Sequence, residues 1–191
     1  MAVAVPFMNK KRSKWRTMRI YHDDICIRNV GIEDCEKLAA WWNDGKVMAH
    51  AGFPNGLGTT AAEIWDKVSG DTDDTKRRMI IEYQNSAIGE TNYYNLGDRV
   101  AEIGIKICDE TYQENGLGKK ILSMLIHELF SMGYEKIILN TNLKNTRAQH
   151  VYEQLGFQKV RVCMDSWTDQ VGVLQSFVDY ELVPEKFVDF R

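Results

Sequence analysis

One segment restricts the fold more than any other: an alternating strand, a glycine-punctuated turn and a long amphipathic helix in immediate succession. From Val100 to Ile107, Ala101, Ile103, Ile105 and Ile107 fall on one side, with Val100, Glu102, Gly104 and Lys106 on the other, the period-two pattern of a half-buried strand. Downstream, Leu117, Ile121, Leu122, Leu125, Ile126 and Leu129 recur at helical spacing and form a broad apolar stripe that stops near Gly133. Between the two lies Gln113-Glu114-Asn115-Gly116-Leu117-Gly118-Lys119-Lys120. Two glycines two residues apart admit positive φ and close backbone approach, so amide NH groups at a helix N-terminus can converge on an anion such as a pyrophosphate. Lys119 and Lys120 add positive charge. A plain strand-to-helix turn accounts for the same glycines.

A second unit follows. Glu135 to Thr141 reads as a strand, and Asn145 then opens a short helix with Ala148, Val151, Tyr152 and Leu155 on one face, closed by Gly156 before Phe157.

These two motifs, in this order and spacing, resemble the GNAT superfamily of acetyl-CoA-dependent N-acetyltransferases. The first is the Q-x-x-G-x-G loop after a strand carrying Glu102-Ile103-Gly104-Ile105. The second is Asn145-Thr146-Arg147-Ala148-Gln149-His150-Val151-Tyr152-Glu153-Gln154-Leu155-Gly156-Phe157. The N-terminal half is similar to the branch containing ribosomal-protein-alanine acetyltransferases, through Cys26-Ile27-Arg28-Asn29-Val30, Asp34 and Trp41-Trp42-Asn43-Asp44 followed by Val47-Met48. The resemblance covers Asp24 to Val183.

It implies a single α/β (α+β) domain: a mixed, mostly antiparallel twisted sheet flanked by helices, with two central parallel strands splayed to hold acetyl-CoA. The pantetheine arm is then expected on the backbone of Lys106, Ile107 and Cys108. The pyrophosphate is expected on the NH groups of Gln113, Glu114, Asn115, Gly116, Leu117, Gly118 and Lys119, and Asn145 and Ala148 complete the coenzyme set. The splay itself makes physical sense, since it leaves NH and carbonyl groups that must find partners, and an amide-bearing ligand supplies them. Acetyl transfer needs an uncharged amine and a donor for the departing thiolate. By resemblance, Glu102 is the general base, acting through water where the amine is out of direct reach, and Tyr152 is the proton donor near the sulfur. Glu102 reads equally as a salt-bridge partner or an acceptor-binding carboxylate, and Tyr152 as a tyrosine packed on a helix face. Asn145 is a helix N-cap on either reading. A backbone NH near Ile107 is expected to hold the oxyanion.

The acceptor is expected to meet the N-terminal half, where Trp41, Trp42, Phe53, Tyr93 and Tyr94 offer aromatic surface and Glu90 and Glu102 are candidate partners for a cationic amine. Arg77-Arg78 reads as a solvated strand end. Three functions fit: a protein N-terminal or lysine-side-chain acetyltransferase, an aminoglycoside or polyamine acetyltransferase, and a non-catalytic acetyl-CoA-binding module. The last is disfavoured by the presence of both Glu102 and Tyr152.

Composition bounds the rest. The chain has 191 residues, 44% of them hydrophobic, which suits one domain with a sizeable core, and no apolar run approaches the ~20 residues of a membrane span. Cys26, Cys35, Cys108 and Cys163 contain no C-x-x-C pair and read as reduced thiols of a cytoplasmic protein; with His22, His50, His127 and His150 they lack metal-ligand spacing, so no metal is expected. Residues 1–17 carry Lys10, Lys11, Arg12, Lys14 and Arg16 and no acid, and read as a basic flexible leader or a non-native extension, with Met18 as an internal start; residues 18–191 are the expected domain. Of 24 basic residues these five leave 19 against 27 acidic ones, a formal charge of −8 for the body, which argues against nucleic-acid binding and is compatible with steering a cationic amine or with a solvated surface. Oligomeric state is open, with a homodimer among the expected states.

Elsewhere the periodicity predicts a first strand over Ile25 to Val30, a helix over Glu33 to Asn43, a loop from Gly45 to Thr59, and a helix started by the Thr60-Ala61-Ala62-Glu63 capping box. Strands are predicted over Arg78 to Tyr83, Ala87 to Tyr94, Lys159 to Trp167 and Leu174 to Val183.

Overall fold

Eight strands hydrogen-bond into one sheet in the order β1-β2-β3-β4-β5-β6-β8-β7 in the computed structural model, which describes residues 18–191. The expected basic leader lies outside the described residues. The strands are β1 (Arg19–His22), β2 (Ile25–Asn29), β3 (Lys76–Tyr83), β4 (Ser86–Asn95), β5 (Val100–Ile107), β6 (Lys136–Asn142), β7 (Gln158–Thr168) and β8 (Leu174–Leu182). Every neighbouring pair is antiparallel except β5 and β6. The expected α/β sheet with two central parallel strands is therefore present.

Alternation along the strands divides the core into two layers. One face of the sheet, including Ile27, Met79, Tyr93, Ala101 and Ile103, packs under α4 (Leu117–Ser131) and α5 (Thr146–Gln154). Ile121, Leu122, Leu125, Ile126 and Leu129 of α4 are all buried, each contributing on the order of 1.5–3 kcal/mol of gross transfer free energy. The other face, at Ile80, packs under α1 (Cys35–Asn43), α2 (Gly45–Met48) and α3 (Ala61–Val68), through Leu38, Trp42, Met48, Ile64 and Val68. The Thr60–Glu63 capping box forms as its sequence requires. No helix among the described residues is long and apolar enough to cross a membrane.

Three local expectations are corrected. A strand, β1, precedes the one at Ile25; Arg-Ile-Tyr-His is too short and polar to show a pattern, and it forms because Arg19–His22 pairs in register with Ile25–Arg28. The segment after Asn43 is not all loop: Asp44 accepts a hydrogen bond from Lys46 N and starts α2, which buries Met48. Arg77 and Arg78 are not a solvated strand end. Arg77 is 4% exposed and ion-paired with Asp73, while Arg78 is paired with Glu90.

Candidate active site

The register of the parallel pair is short, and the site follows from where it stops. Val100, Ala101 and Glu102 lie opposite Lys136, Ile137 and Ile138, and beyond Glu102 the two strands part. From there β6 continues against β8 alone, to Asn142 opposite Phe177, while β5 continues against β4, to Ile107 opposite Gly89. Cys108 N donates to Ile88 O at 2.9 Å and Leu96 N donates to Val100 O at 3.0 Å, so even-numbered positions of β5 turn their amides toward β4. The amides of Ile103, Ile105 and Ile107 consequently face the gap. Of the three expected pantetheine contacts, Ile107 presents its backbone there, whereas Lys106 and Cys108 turn theirs to β4. Gln113 Nε2 donates to Ile107 O at 2.8 Å and ties the glycine loop to the end of the strand.

That loop has the shape of an anion cradle. Glu114 (φ 63°) and Gly116 (φ 74°) both lie in the left-handed region, which turns successive NH groups the same way. Gly116 is the N-cap of α4 and no side chain caps the helix, so the NH groups of its first turn, beginning at Leu117 and Gly118, have no intrahelical acceptor. A Cβ on Gly116 would meet no atom within 4 Å, which marks open approach in front of the backbone. The two lysines contribute differently from the sequence expectation. Lys119 Nζ donates to Gln154 Oε1 at 3.1 Å and lies over the Phe190 ring, and Lys120 pairs with Asp23, so the loop offers backbone NH groups more than ammonium charge. Arg147, inside the second motif but given no role from sequence, donates to Gln113 Oε1 and Glu114 Oε1, both at 3.2 Å, and locks α5 against the loop. Asn145 caps α5, its Oδ1 accepting from Ala148 N at 3.2 Å. Glu114 and Asn115 are exposed, so their identity matters less than their backbone.

Glu102 and Tyr152 lie on opposite faces of the sheet. Tyr152 belongs to the core under α4 and α5, with Phe157 and Tyr180 edge-on at 5.8 Å. Burial pushes its phenol up to about 12, which keeps it protonated. Glu102 points to the α1–α3 face, where Asn140 Nδ2 of β6 reaches across the gap to its Oε1 at 3.4 Å.

On that same face the pairing aligns three rows: Lys76, Tyr94 and Glu102; Arg78, Asn92 and Gly104; Ile80, Glu90 and Lys106. Above them opens a cavity of about 260 Å³, lined among others by Trp42, Lys67, Lys76, Arg78, Tyr94 and Lys106. Gly104 leaves room at its floor, since a Cβ there would stand 2.8 Å from Asn92 Oδ1. Glu90, expected as a partner for a cationic amine, is already occupied: it is 3% exposed and accepts from Trp42 Nε1 at 2.9 Å, Arg78 Nη1 at 2.5 Å and Lys106 Nζ at 3.3 Å. Burial opposes its ionisation, but Arg78 and Lys106 outweigh burial and hold the carboxyl below its ordinary value. Of the five aromatics expected near the acceptor, Trp42 and Tyr94 line the cavity, whereas the Tyr93 side chain is fully buried in the core on the opposite face. Among the described residues no group of three or more His, Cys, Asp or Glu side chains is arranged to hold a metal.

Comparison with known proteins agrees with this architecture. Residues 24–158 match the family described as Acetyltransferase (GNAT) domain. Two curated relatives align over shorter stretches. N-alpha-acetyltransferase 30 of Dictyostelium discoideum is 27% identical over 31% of this chain and 32% of its own, and ribosomal protein bS18-alanine N-acetyltransferase of Haemophilus ducreyi is 33% identical over 28% and 37%. The alignments thus cover about a third of the length of these relatives. Among solved structures, spermidine N-acetyltransferase from Vibrio cholerae in complex with CoA and spermine superposes with a TM-score of 0.75 at 21% identity, covering 85% of this chain and 97% of that one. The ribosomal L7/L12 alpha-N-protein acetyltransferase RimL in complex with coenzyme A also gives 0.75, at 15% identity over 87% and 98%.

Proposed function

Because the chain belongs to the acetyltransferase (GNAT) domain family, we propose that it binds acetyl-CoA in the gap between β5 and β6 and transfers the acetyl group to a primary amine by direct attack in a ternary complex. The observation that carries this reading is the end of parallel pairing at Glu102 opposite Ile138. It leaves the amides of Ile103, Ile105 and Ile107 facing a cleft whose mouth is the uncapped N-terminus of α4. An extended, amide-bearing arm ending in a diphosphate satisfies both sets of groups.

The chemistry divides between the two faces. The amine enters from the α1–α3 side, where Glu102 takes its proton, directly or through a water. The nitrogen attacks the thioester carbonyl, whose oxygen is held by a strand NH such as that of Ile107. When the carbon–sulfur bond breaks, Tyr152 gives its proton to the thiolate from the other side. Burial suits it to this, since a phenol near 12 remains a proton donor at neutral pH. The four cysteines are free, which fits a cytoplasmic enzyme.

The relatives named above act on acceptors from spermidine to ribosomal proteins, so they do not choose between a small-molecule and a protein amine. Calorimetry with acetyl-CoA, followed by thiol release across polyamines, aminoglycosides and N-terminal peptides, tests the proposal. Binding and amine-dependent release are expected; no heat of association would overturn it. Replacing Glu102 by Gln is expected to abolish the acidic limb of the pH–rate profile, and an unchanged profile would remove Glu102 from the base role.

A further inference from the structure

The acceptor cavity is cationic in a chain whose formal net charge is −3. Lys67, Lys76, Arg77, Arg78 and Lys106 line it, and the acids that line it or pair with those residues are Asp71, Asp73 and Glu90, a surplus of two positive charges. Counting Glu102, in the adjoining row, still leaves one. The surplus is concentrated rather than spread. Arg78 and Lys106 share the single carboxylate of Glu90, at 2.5 and 3.3 Å, so three charges in contact sum to plus one at the cavity wall. Arg78 is also fixed in place, stacked over the Trp42 ring at 4.7 Å, and its guanidinium remains partly exposed, as does Lys106. Lys67, exposed at the end of α3, faces the same space.

A polycation meets net repulsion in such a cavity, whereas an anionic oxygen group meets two partly exposed donors already held in place by Glu90. At about 260 Å³ the space falls below the roughly 300–1,000 Å³ of pockets for drug-sized ligands, which points to a small acceptor. We propose that the acceptor is a small primary amine that also carries a carboxylate or phosphate, with the anionic group on Arg78 and Lys106 and the amine toward Glu102. The register sets the geometry: the Arg78 row lies next along β5 from the row of Tyr94 and Glu102, and the Lys106 row lies one beyond it, so the anion and the nitrogen lie one to two rows apart on one sheet face. This specificity rests on the acetyl-transfer reading above.

Matched acceptors test it, with thiol release measured at saturating acetyl-CoA. β-Alanine is compared with β-alaninamide, glucosamine phosphate with glucosamine, and spermidine serves as the polycation; the first pair reports a carboxylate and the second a phosphate. At least one anionic member is expected to exceed its neutral twin and spermidine by about tenfold or more in kcat/KM, the scale of one charge-assisted hydrogen bond. A Lys67→Glu, Lys76→Glu double variant, changed at two exposed or half-exposed positions, is expected to lose that preference by a similar factor while its melting temperature is retained. Spermidine or the neutral twins matching the anionic members overturns this proposal and leaves acetyl transfer standing. Unchanged selectivity in the double variant also overturns it. Bound acetyl-CoA with no release on any amine sinks both readings.

Discussion

Replacing Tyr152 by Phe removes one oxygen and nothing else, which makes it the sharpest test of the proton-donor role. The ring's edge-on contacts to Phe157 and Tyr180, at 5.8 Å each, survive the change. The hydroxyl has no hydrogen-bond partner among the described residues, and burial alone accounts for its raised pKa. Its removal should therefore alter stability by no more than about 1 kcal/mol in either direction, or roughly 2–4 °C in Tm for a chain of this size. Catalysis should respond on another scale. A positioned general acid contributes on the order of 10²–10⁴ in rate, so the low end predicts a ~100-fold fall in kcat, about 2.7 kcal/mol on the barrier. Thiol release at saturating amine and acetyl-CoA reads the rate, calorimetry reads coenzyme affinity, and thermal unfolding reads stability. The expected pattern is a large loss in kcat with the other two unchanged. A wild-type phenol near 12 also predicts that this group causes no alkaline decline in rate up to about pH 10. Full turnover in the variant would refute the donor role, and a collapse in Tm would show that Tyr152 serves the core.

Two further perturbations separate the layers of the site. Glu90→Gln leaves Arg78 and Lys106 on a buried amide and should destabilise by about 3–5 kcal/mol in denaturant unfolding, whereas equal midpoints would show that the cations do not depend on Glu90. Because the folded carboxyl lies below its ordinary value of 4.5, its stabilising contribution is fully present above that value and lost as pH falls through the folded pKa; the variant should lack that portion of the acid slope. Gly116→Val must hold a β-branched residue at φ 74°, costing roughly 1–2 kcal/mol, and places a side chain in the open approach to the loop. Acetyl-CoA affinity should fall at least about tenfold with far-UV circular dichroism unchanged, and unaltered affinity would move the diphosphate elsewhere.

The elements of the half proposed to bind coenzyme were legible in the sequence because their signals are local. Strand β5 forms over Val100–Ile107 and the long helix over Leu117–Ser131, as alternation and the apolar stripe require, and Asn145 caps α5 by the chemistry of its own side chain. The acceptor half was not. Arg77 and Arg78 look like a polar strand end until Asp73 and the neighbouring strand's Glu90 are brought against them. Glu90 looks available to a ligand until Lys106, sixteen residues on, folds onto it. Buried ion pairs between strands have no periodicity to betray them, and a lone acid or base in a strand is read by default as solvated. The partners of Lys119 and Lys120 escaped for the same reason, since Gln154, Phe190 and Asp23 lie far away in sequence.

Residue parity along β5 determines which face of the sheet each position serves. Odd positions 103, 105 and 107 send side chains into the α4 core and amides into the gap. Even positions 102, 104 and 106 send amides to β4 and side chains, or in Gly104 the lack of one, to the α1–α3 face, where Lys106 lines the cavity. On the proposed function, a strand period of two assigns coenzyme binding to backbone on one set and acceptor choice to side chains on the other, so the two properties can vary independently. The same proposal expects substitution at 104 or 106 to reshape acceptor specificity while the amide groups that face the gap keep their places. A one-residue slip of β5 against β4 would exchange the two sets and disable both functions at once. The ladder that guards against it runs from Asn95 opposite Ala101 to Gly89 opposite Ile107, and Leu96 N to Val100 O and Cys108 N to Ile88 O close its two ends. The splay begins between them.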